Sequence, residues 1–146
     1  MTNNYTTSTP KIALVTGGSR GIGRNTVESL AKRGVHTVFT YHSHSTDAEA
    51  VVVAVKDQGA QGIALQLDAG NIASFDAFVD SVKDALAKLG ASRFDFLVNN
   101  AGGQFPSKAE DISLKGWKAV IETNLTGTFL CCREGIWLIF AIIPLI

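Results

Sequence analysis

Thr16-Gly17-Gly18-Ser19-Arg20-Gly21-Ile22-Gly23 stands between the apolar run Lys11-Ile12-Ala13-Leu14-Val15-Thr16 and a stretch of helical periodicity over 22–33. A short apolar run ending in glycines reads as a strand buried on both faces. In the stretch that follows, Ile22, Val27, Leu30 and Ala31 share one side, and Gly34 supplies a stop. A glycine at the end of a strand permits a tight turn. One without a Cβ lets a phosphate approach the backbone, and another lets the helix pack closely on the strand. The helix N-terminus then offers unpaired N–H groups and a partial positive charge. The spacing is TGxxxGxG and not GxGxxG, because Thr26 stands where a third glycine would be counted from Gly21. For the glycines alone, a turn without a ligand remains the alternative. Their place between a strand and a helix favours the phosphate loop.

Outward from this loop the same alternation continues. Residues 35–41 are β-branched and aromatic, a second strand, and Ala48, Val51, Val52 and Val55 recur at helical spacing before Gln58-Gly59. A third strand is expected over 63–67. Ile72, Phe75, Phe78, Val79, Val82, Ala85, Leu86 and Leu89 form a long helical stripe closed by Gly90. A fourth strand over 94–98 leads into Asn99-Asn100-Ala101-Gly102-Gly103, a polar loop through Asp111, and a helix over about 114–134. Strands separated by helices make repeated βαβ units. Their right-handed crossovers predict an α/β fold, a doubly wound parallel sheet with helices on both faces.

The bulk properties exclude several classes. With 146 residues, 46% hydrophobic and 18% charged, the chain suits one globular domain. Its thirteen basic and thirteen acidic residues are interspersed, so no basic stripe offers a nucleic-acid partner. Cys131 and Cys132 are adjacent and cannot staple distant segments. They read as small apolar helix residues in a reducing, cytoplasmic setting. Residues 1–10 lack the charged and apolar regions of a signal peptide and read as a short disordered leader. No metal site is expected.

The loop at 16–23 together with Asn99-Asn100-Ala101-Gly102 resembles the short-chain dehydrogenases/reductases of the TGxxxGxG and NNAG type. The resemblance covers residues 11–135. It implies a Rossmann-like sheet in the order 3-2-1-4, incomplete here because the family continues with strands five to seven. It implies a dinucleotide cofactor held by Gly17, Ser19, Arg20, Gly21, Ile22, Gly23, Asp68, Asn99, Ala101 and Gly102. Asp68 matches the family's acceptor for the adenine amino group; a turn or capping Asp ahead of Asn71 is the alternative. Asn99 and Asn100 either touch the cofactor or tie neighbouring strands together. Asn124, in Glu122-Thr123-Asn124-Leu125, matches the helix asparagine that holds a proton-relay water next to the catalytic Lys. Outside that frame it would be a surface residue.

Cofactor choice rests on the residues themselves. NAD-specific sites place a carboxylate about 20 residues past the first glycine. Here the stretch is Thr40-Tyr41-His42-Ser43-His44, without an acid. Arg20 supplies a charge-assisted donor for a 2′-phosphate. NADP(H) is therefore favoured over NAD(H). His42, Ser43 and His44 are either further donors or a solvated strand end.

The resemblance then breaks. The family moves a hydride between nicotinamide and an alcohol or carbonyl carbon, with a Tyr as general acid/base, a Lys in YxxxK and a Ser. Tyr5 is followed by Thr9 at the Lys position and Tyr41 by Ser45, so no YxxxK exists, and Asn124 is the sole remaining member of the catalytic set. Residues 136–146 carry no charge and are too few for a membrane span, which takes about 20. They read as an aberrant end on a truncated, catalytically incompetent oxidoreductase. A non-catalytic NADP(H)-binding module or sensor is the alternative. Family members are usually homo-oligomers. The fourth strand is expected to be an open apolar edge. The helix residues Trp117, Val120, Ile121, Leu125 and Phe129 are expected to lack partners, with the apolar tail partly covering that surface.

Overall fold

β1 (Ile12–Val15) is buried along its whole length, and the sheet is built around it. In this computed structural model, which describes residues 9–104 and 106–139, β1 pairs in parallel with β2 (His36–Tyr41) and with β4 (Phe96–Val98). β3 (Gly62–Gln66) joins the far side of β2, again in parallel. The order is β3-β2-β1-β4, the expected 3-2-1-4 sheet.

Side chains alternate across a strand, so one buried strand feeds two cores. Ala13 and Val15 face α1 (Gly21–Ala31) and α2 (Ser45–Asp57), where they meet Val27, Ala31, Val51 and Val55. Ile12 and Leu14 face the opposite way, toward Phe75, Phe78, Val82 and Leu86 of α3 (Phe75–Lys88). Leu130 and Cys131 complete that second core from α5 (Gly127–Ile139). Each fully buried Val, Leu or Phe contributes about 1.5–3 kcal/mol relative to exposure, and both faces of the sheet are covered in this way.

Two apolar residues depart from the expected stripes. Ile22 is 80% exposed, because the buried line of α1 runs through Gly23, Val27 and Ala31 and leaves Ile22 at the open end of the sheet. Ile72 is also exposed. It belongs to a short 3₁₀ turn, Ile72–Ser74, and the helix proper starts at Phe75.

The last helix is one run with a defect in its middle. α4 (Leu114–Ile121) begins at Ser113, whose hydroxyl accepts the Gly116 N–H at 3.1 Å. A π-helical turn, Glu122–Thr126, joins it to α5. There is no break at Gly135, where a boundary is expected from the sequence. Gly135 is buried near Leu97 and Phe94, and the helix continues to Ile139. The Leu138 carbonyl accepts the Phe94 N–H at 3.2 Å, while Ile136 and Trp137 are exposed. Residues 1–8 of the leader and 140–146 of the tail lie outside the described residues, and with them the cover expected from the tail. Among the described residues β4 pairs only with β1, and Phe96, Trp117, Leu125 and Phe129 are exposed.

At the opposite edge of the sheet Asp95 ties the start of β4 to the start of β1. Its carboxylate accepts the Ile12 N–H at 2.9 Å and the Lys11 ammonium at 2.8 Å, and its own N–H donates to the Ile12 carbonyl at 2.7 Å. Burial by itself raises the Asp95 pKa, but the hydrogen bonds from Lys11 and Ile12 and the charges of Lys11 and Arg93 outweigh it and leave it below 3.8. A depressed carboxylate stabilises the fold above its unfolded pKa, and that contribution disappears as pH falls through the folded value. Asp95→Asn is expected to cost about 1 kcal/mol in urea unfolding near neutral pH, discounted for the exposed Lys11. The gap to the unsubstituted chain should close as pH falls below 3.8.

Candidate functional site

Beyond Val15 the chain must leave the sheet and start α1 within a few residues. Thr16 makes the last sheet bond, its N–H donating to the Val98 carbonyl at 3.0 Å. Its buried hydroxyl oxygen accepts the N–H groups of Asn100 and Ala101, both at 3.0 Å. Gly17 then turns with φ +69, a left-handed conformation that a side chain disfavours. Thr40 of β2 holds the turn from the other side: its hydroxyl accepts the Gly17 N–H at 3.0 Å and its carbonyl the Gly18 N–H at 2.7 Å.

The Asn100 side-chain amide closes the junction. Nδ2 donates to the Thr16 carbonyl at 3.1 Å and to the Gly17 carbonyl at 3.0 Å. Gly23 packs directly on this point. A Cβ there would overlap the Gly17 carbonyl oxygen and the Asn100 amide.

The turn aims the N-terminus of α1 outward. Arg20 occupies the N-cap in extended conformation and makes no side-chain cap bond, and the first turn holds no acid. That end keeps its donors and its partial positive charge for an external acceptor. It opens on a cleft of about 500 Å³. The cleft is walled by the glycine loop, residues 40–44 after and at the end of β2, residues 67–69, the turn at 100–103, and Thr123. This is the carboxyl edge of the sheet where the strand order reverses between β1 and β4, the place where open α/β sheets hold ligands.

Most of the residues singled out from the sequence meet here. Gly17, Ser19, Arg20, Gly21, Ile22, Asp68, Ala101 and Gly102 all line the cleft. Gly23 lies behind the loop as its packing contact. Asp68 takes the turn role that was its alternative: Oδ1 accepts the Gly70 N–H at 3.0 Å. Its second oxygen, Oδ2, lies 3.7 Å from His42 Nε2.

Asn99 does not join the cleft. Its amide donates to Cys132 Sγ at 3.3 Å on α5. Asn100 takes the strand-tying role that was one of its two alternatives, and it is the asparagine that faces the glycine loop. Strand alternation decides between them. Leu97 packs on the α3 and α5 core, Val98 on the α1 and α2 core, and Asn99 and Asn100 continue that parity. Thr40 was missed as a support of the glycine loop, because the sequence carried no signal for that role beyond its place in a strand.

Asn124 sits within the π-helical turn and braces the cleft from outside. Its Oδ1 accepts the Gly103 N–H and its Nδ2 donates to the Gly103 carbonyl, both at 2.8 Å. The π turn places it there, and Gly127 lets the helix press against the Ala69 backbone. Both polar atoms of the Asn124 side chain are thus engaged by the loop after β4.

Of the cysteines, burial, with a smaller effect from Cys132, pushes the Cys131 thiol up to about 11, so it stays protonated and inert at neutral pH. Among the described residues no cluster of His, Cys, Asp or Glu fits a metal ion. No described helix is long and apolar enough to cross a membrane.

Residues 11–139 match the family model of short chain dehydrogenases. The chain is 43% identical over 128 residues to a 3-oxoacyl-(acyl-carrier-protein) reductase of Synechocystis sp., covering 88% of this chain and 50% of that protein. It is 37% identical over 124 residues to the reductase of the same name from Staphylococcus epidermidis, covering 85% and 49%. Among solved structures, a short chain dehydrogenase from Burkholderia cenocepacia in complex with NADP superposes with a TM-score of 0.78 at 33% identity, over 86% of this chain and 49% of that one. Acetoin dehydrogenase from Enterobacter cloacae gives 0.77 at 30% identity, over 90% and 50%. The chain spans about half the length of the curated relatives it matches.

The junction can be tested by its energetics. Gly23→Ala and Asn100→Ala are each expected to cost about 1–3 kcal/mol in urea unfolding, the first by overpacking and the second by orphaning two carbonyls. Both act on the Gly17 carbonyl, so the double variant should lose less than the sum of the two. Fully additive losses would show that the contacts are independent.

Proposed function

The chain belongs to the short-chain dehydrogenase/reductase family of nicotinamide-dinucleotide oxidoreductases, and from that membership we propose that its cleft is an NADP(H) platform that does not by itself complete hydride transfer. The observation that carries the proposal is the uncapped N-terminus of α1, which opens with the glycine loop on the same cleft as the turn at 100–103. A dinucleotide fits these groups. Its pyrophosphate meets backbone N–H donors, a dipole and close-approach glycines, and no first-turn acid repels it. Gly17, Ser19, Gly21 and Ile22 would hold that part, with Gly23 setting the loop against the sheet. Ala101 and Gly102 form the facing wall, and Asn124 keeps that wall in place through Gly103. Asp68 retains one carboxylate oxygen for the adenine amino group after its Gly70 bond.

The preference for NADP(H) rests on charge. Arg20 lines the cleft, and the end of β2 with the segment after it holds Tyr41, His42, Ser43 and His44 where an NAD site carries an acid. A relative solved with NADP lends support. The bound cofactor would supply the hydride at nicotinamide C4. The protein must supply the proton, and these 146 residues contain no YxxxK to do so. Asn124 acts here as a positioning residue that holds Gly103. A second reading is a non-catalytic module that binds or senses NADP(H) through the same uncapped helix end and glycine loop. The full oxidoreductase of the family would act on a carbonyl or alcohol, the class to which the 3-oxoacyl reductases belong by name.

Isothermal titration of the 146-residue chain tests this directly. It is expected to bind NADPH more tightly than NADH, and Arg20→Gln should weaken NADPH about ten-fold while leaving NADH within about two-fold. With 3-oxoacyl thioesters or acetoin present, NADPH should not be consumed. Equal loss for both nucleotides would overturn the role of Arg20, and measurable turnover would overturn the claim of incompetence.

A further inference from the structure

The edge of the sheet opposite the cleft gathers positive charge that is dispersed in the sequence. α1, α2 and α3 all end there, each just before the strand that follows it, and β1 starts there. The segments 10–11, 32–35, 56–61 and 88–95 bring Lys11, Lys32, Arg33, Lys56, Lys88 and Arg93 to this edge, against Asp57 and Asp95. All six basic residues are exposed. Lys56 and Lys88 sit in the last turns of α2 and α3, where a helix favours cations. Lys11 and Arg93 belong to no helix, and with Ser92 and Asp95 they line a recess of about 520 Å³. α5 ends at the same edge, where the Leu138 carbonyl accepts the Phe94 N–H at 3.2 Å. Arg93 and Trp137 therefore each stand one residue from that hydrogen bond. Trp137 is 68% exposed and Ile136 54%. The sequence over 136–146 contains no charged residue.

Exposed cations beside an exposed Trp and Ile match the headgroup layer of an anionic bilayer. That layer attracts Lys and Arg and takes up aromatic and aliphatic side chains. Either signal alone holds a protein weakly, and this edge offers both. The cations are spread over the ends of three helices and the start of β1, as suits a diffuse surface charge. Nucleic acid would use the cations but would leave Ile136 and the uncharged residues after it without a counterpart. We propose that this edge docks on an anionic phospholipid surface. Lys11, Lys88 and Arg93 meet the headgroup phosphates, and Trp137 and Ile136 enter the interfacial layer. The contact is peripheral, and it leaves the cleft at the other edge facing the water.

Co-flotation of the 146-residue chain with vesicles tests the surface, using mixed phosphatidylserine and phosphatidylcholine against phosphatidylcholine alone. Binding is expected to the mixed vesicles only, and it should weaken as salt is added. Removing two charges in the double variant Lys88→Gln, Arg93→Gln should weaken it about ten-fold or more, with the urea midpoint unchanged. Tryptophan emission locates the contact. The chain has two tryptophans, and Trp117 lies twenty residues earlier on the same helical run, about 30 Å away at about 1.5 Å per residue. In Trp117→Phe, the emission of Trp137 should move to the blue on adding mixed vesicles. In Trp137→Phe, the emission of Trp117 should stay in place. No binding to mixed vesicles, equal binding to neutral ones, or tighter binding to duplex DNA in a gel shift overturns the proposal. Full binding by the double variant, or a blue shift from Trp117, overturns the assignment to this edge. Each of these outcomes leaves nucleotide binding in the cleft as it is, since the titration with NADPH and NADH tests that separately.

Discussion

Two carbonyls at the end of β1, those of Thr16 and Gly17, have left the ladder where the chain turns from sheet to helix. A buried backbone carbonyl without a donor is costly. The Asn100 amide serves them, while the Thr16 hydroxyl serves the N–H groups of Asn100 and Ala101 in return. This exchange locks the glycine loop to the segment after β4. It sets the direction of α1, brings Gly23 against the Gly17 carbonyl, and gives the cleft its two facing walls. The parallel pairing of β1 with β4 supplies the frame, and Asn100 converts that frame into a site.

The rest of the cleft is braced at greater distance by the same means. Thr40 holds Gly17 and Gly18 from β2, and Asn124 holds Gly103 from the π-helical turn. Neutral side chains thus fix the backbone of each wall, and the uncapped end of α1 stays available. Charge enters at the corner where Arg20, His42 and Asp68 line the opening.

Much of this was legible in the residues. Apolar runs of four to six residues, each closed by a turn, marked the strands, and their alternation with helical stripes set the parallel sheet, while its order followed from the family resemblance. Periodicity failed where a helix end projects past the core, as at Ile22, and where a 3₁₀ turn precedes the helix, as at Ile72. The roles of Asn99 and Asn100 depend on strand parity, which the sequence carries but which the motif alone does not resolve. The π turn at Glu122–Thr126 depends on tertiary contacts, Asn124 with Gly103 and Gly127 with Ala69, and a helical pattern conceals it. The continuation of α5 past Gly135 was hidden by the change in composition there, although Leu138 still reaches the core.

The central claim is that residues 17–23 and 100–103 form one nucleotide-holding unit within this chain. Amide hydrogen exchange with and without NADPH tests it most directly, since it reports on each backbone segment in the folded state. The account predicts slowed exchange in both segments together on adding NADPH, with Ile12 and Asp95 at the opposite edge of the sheet unchanged. Protection confined to that opposite edge, or none in either segment, would contradict it.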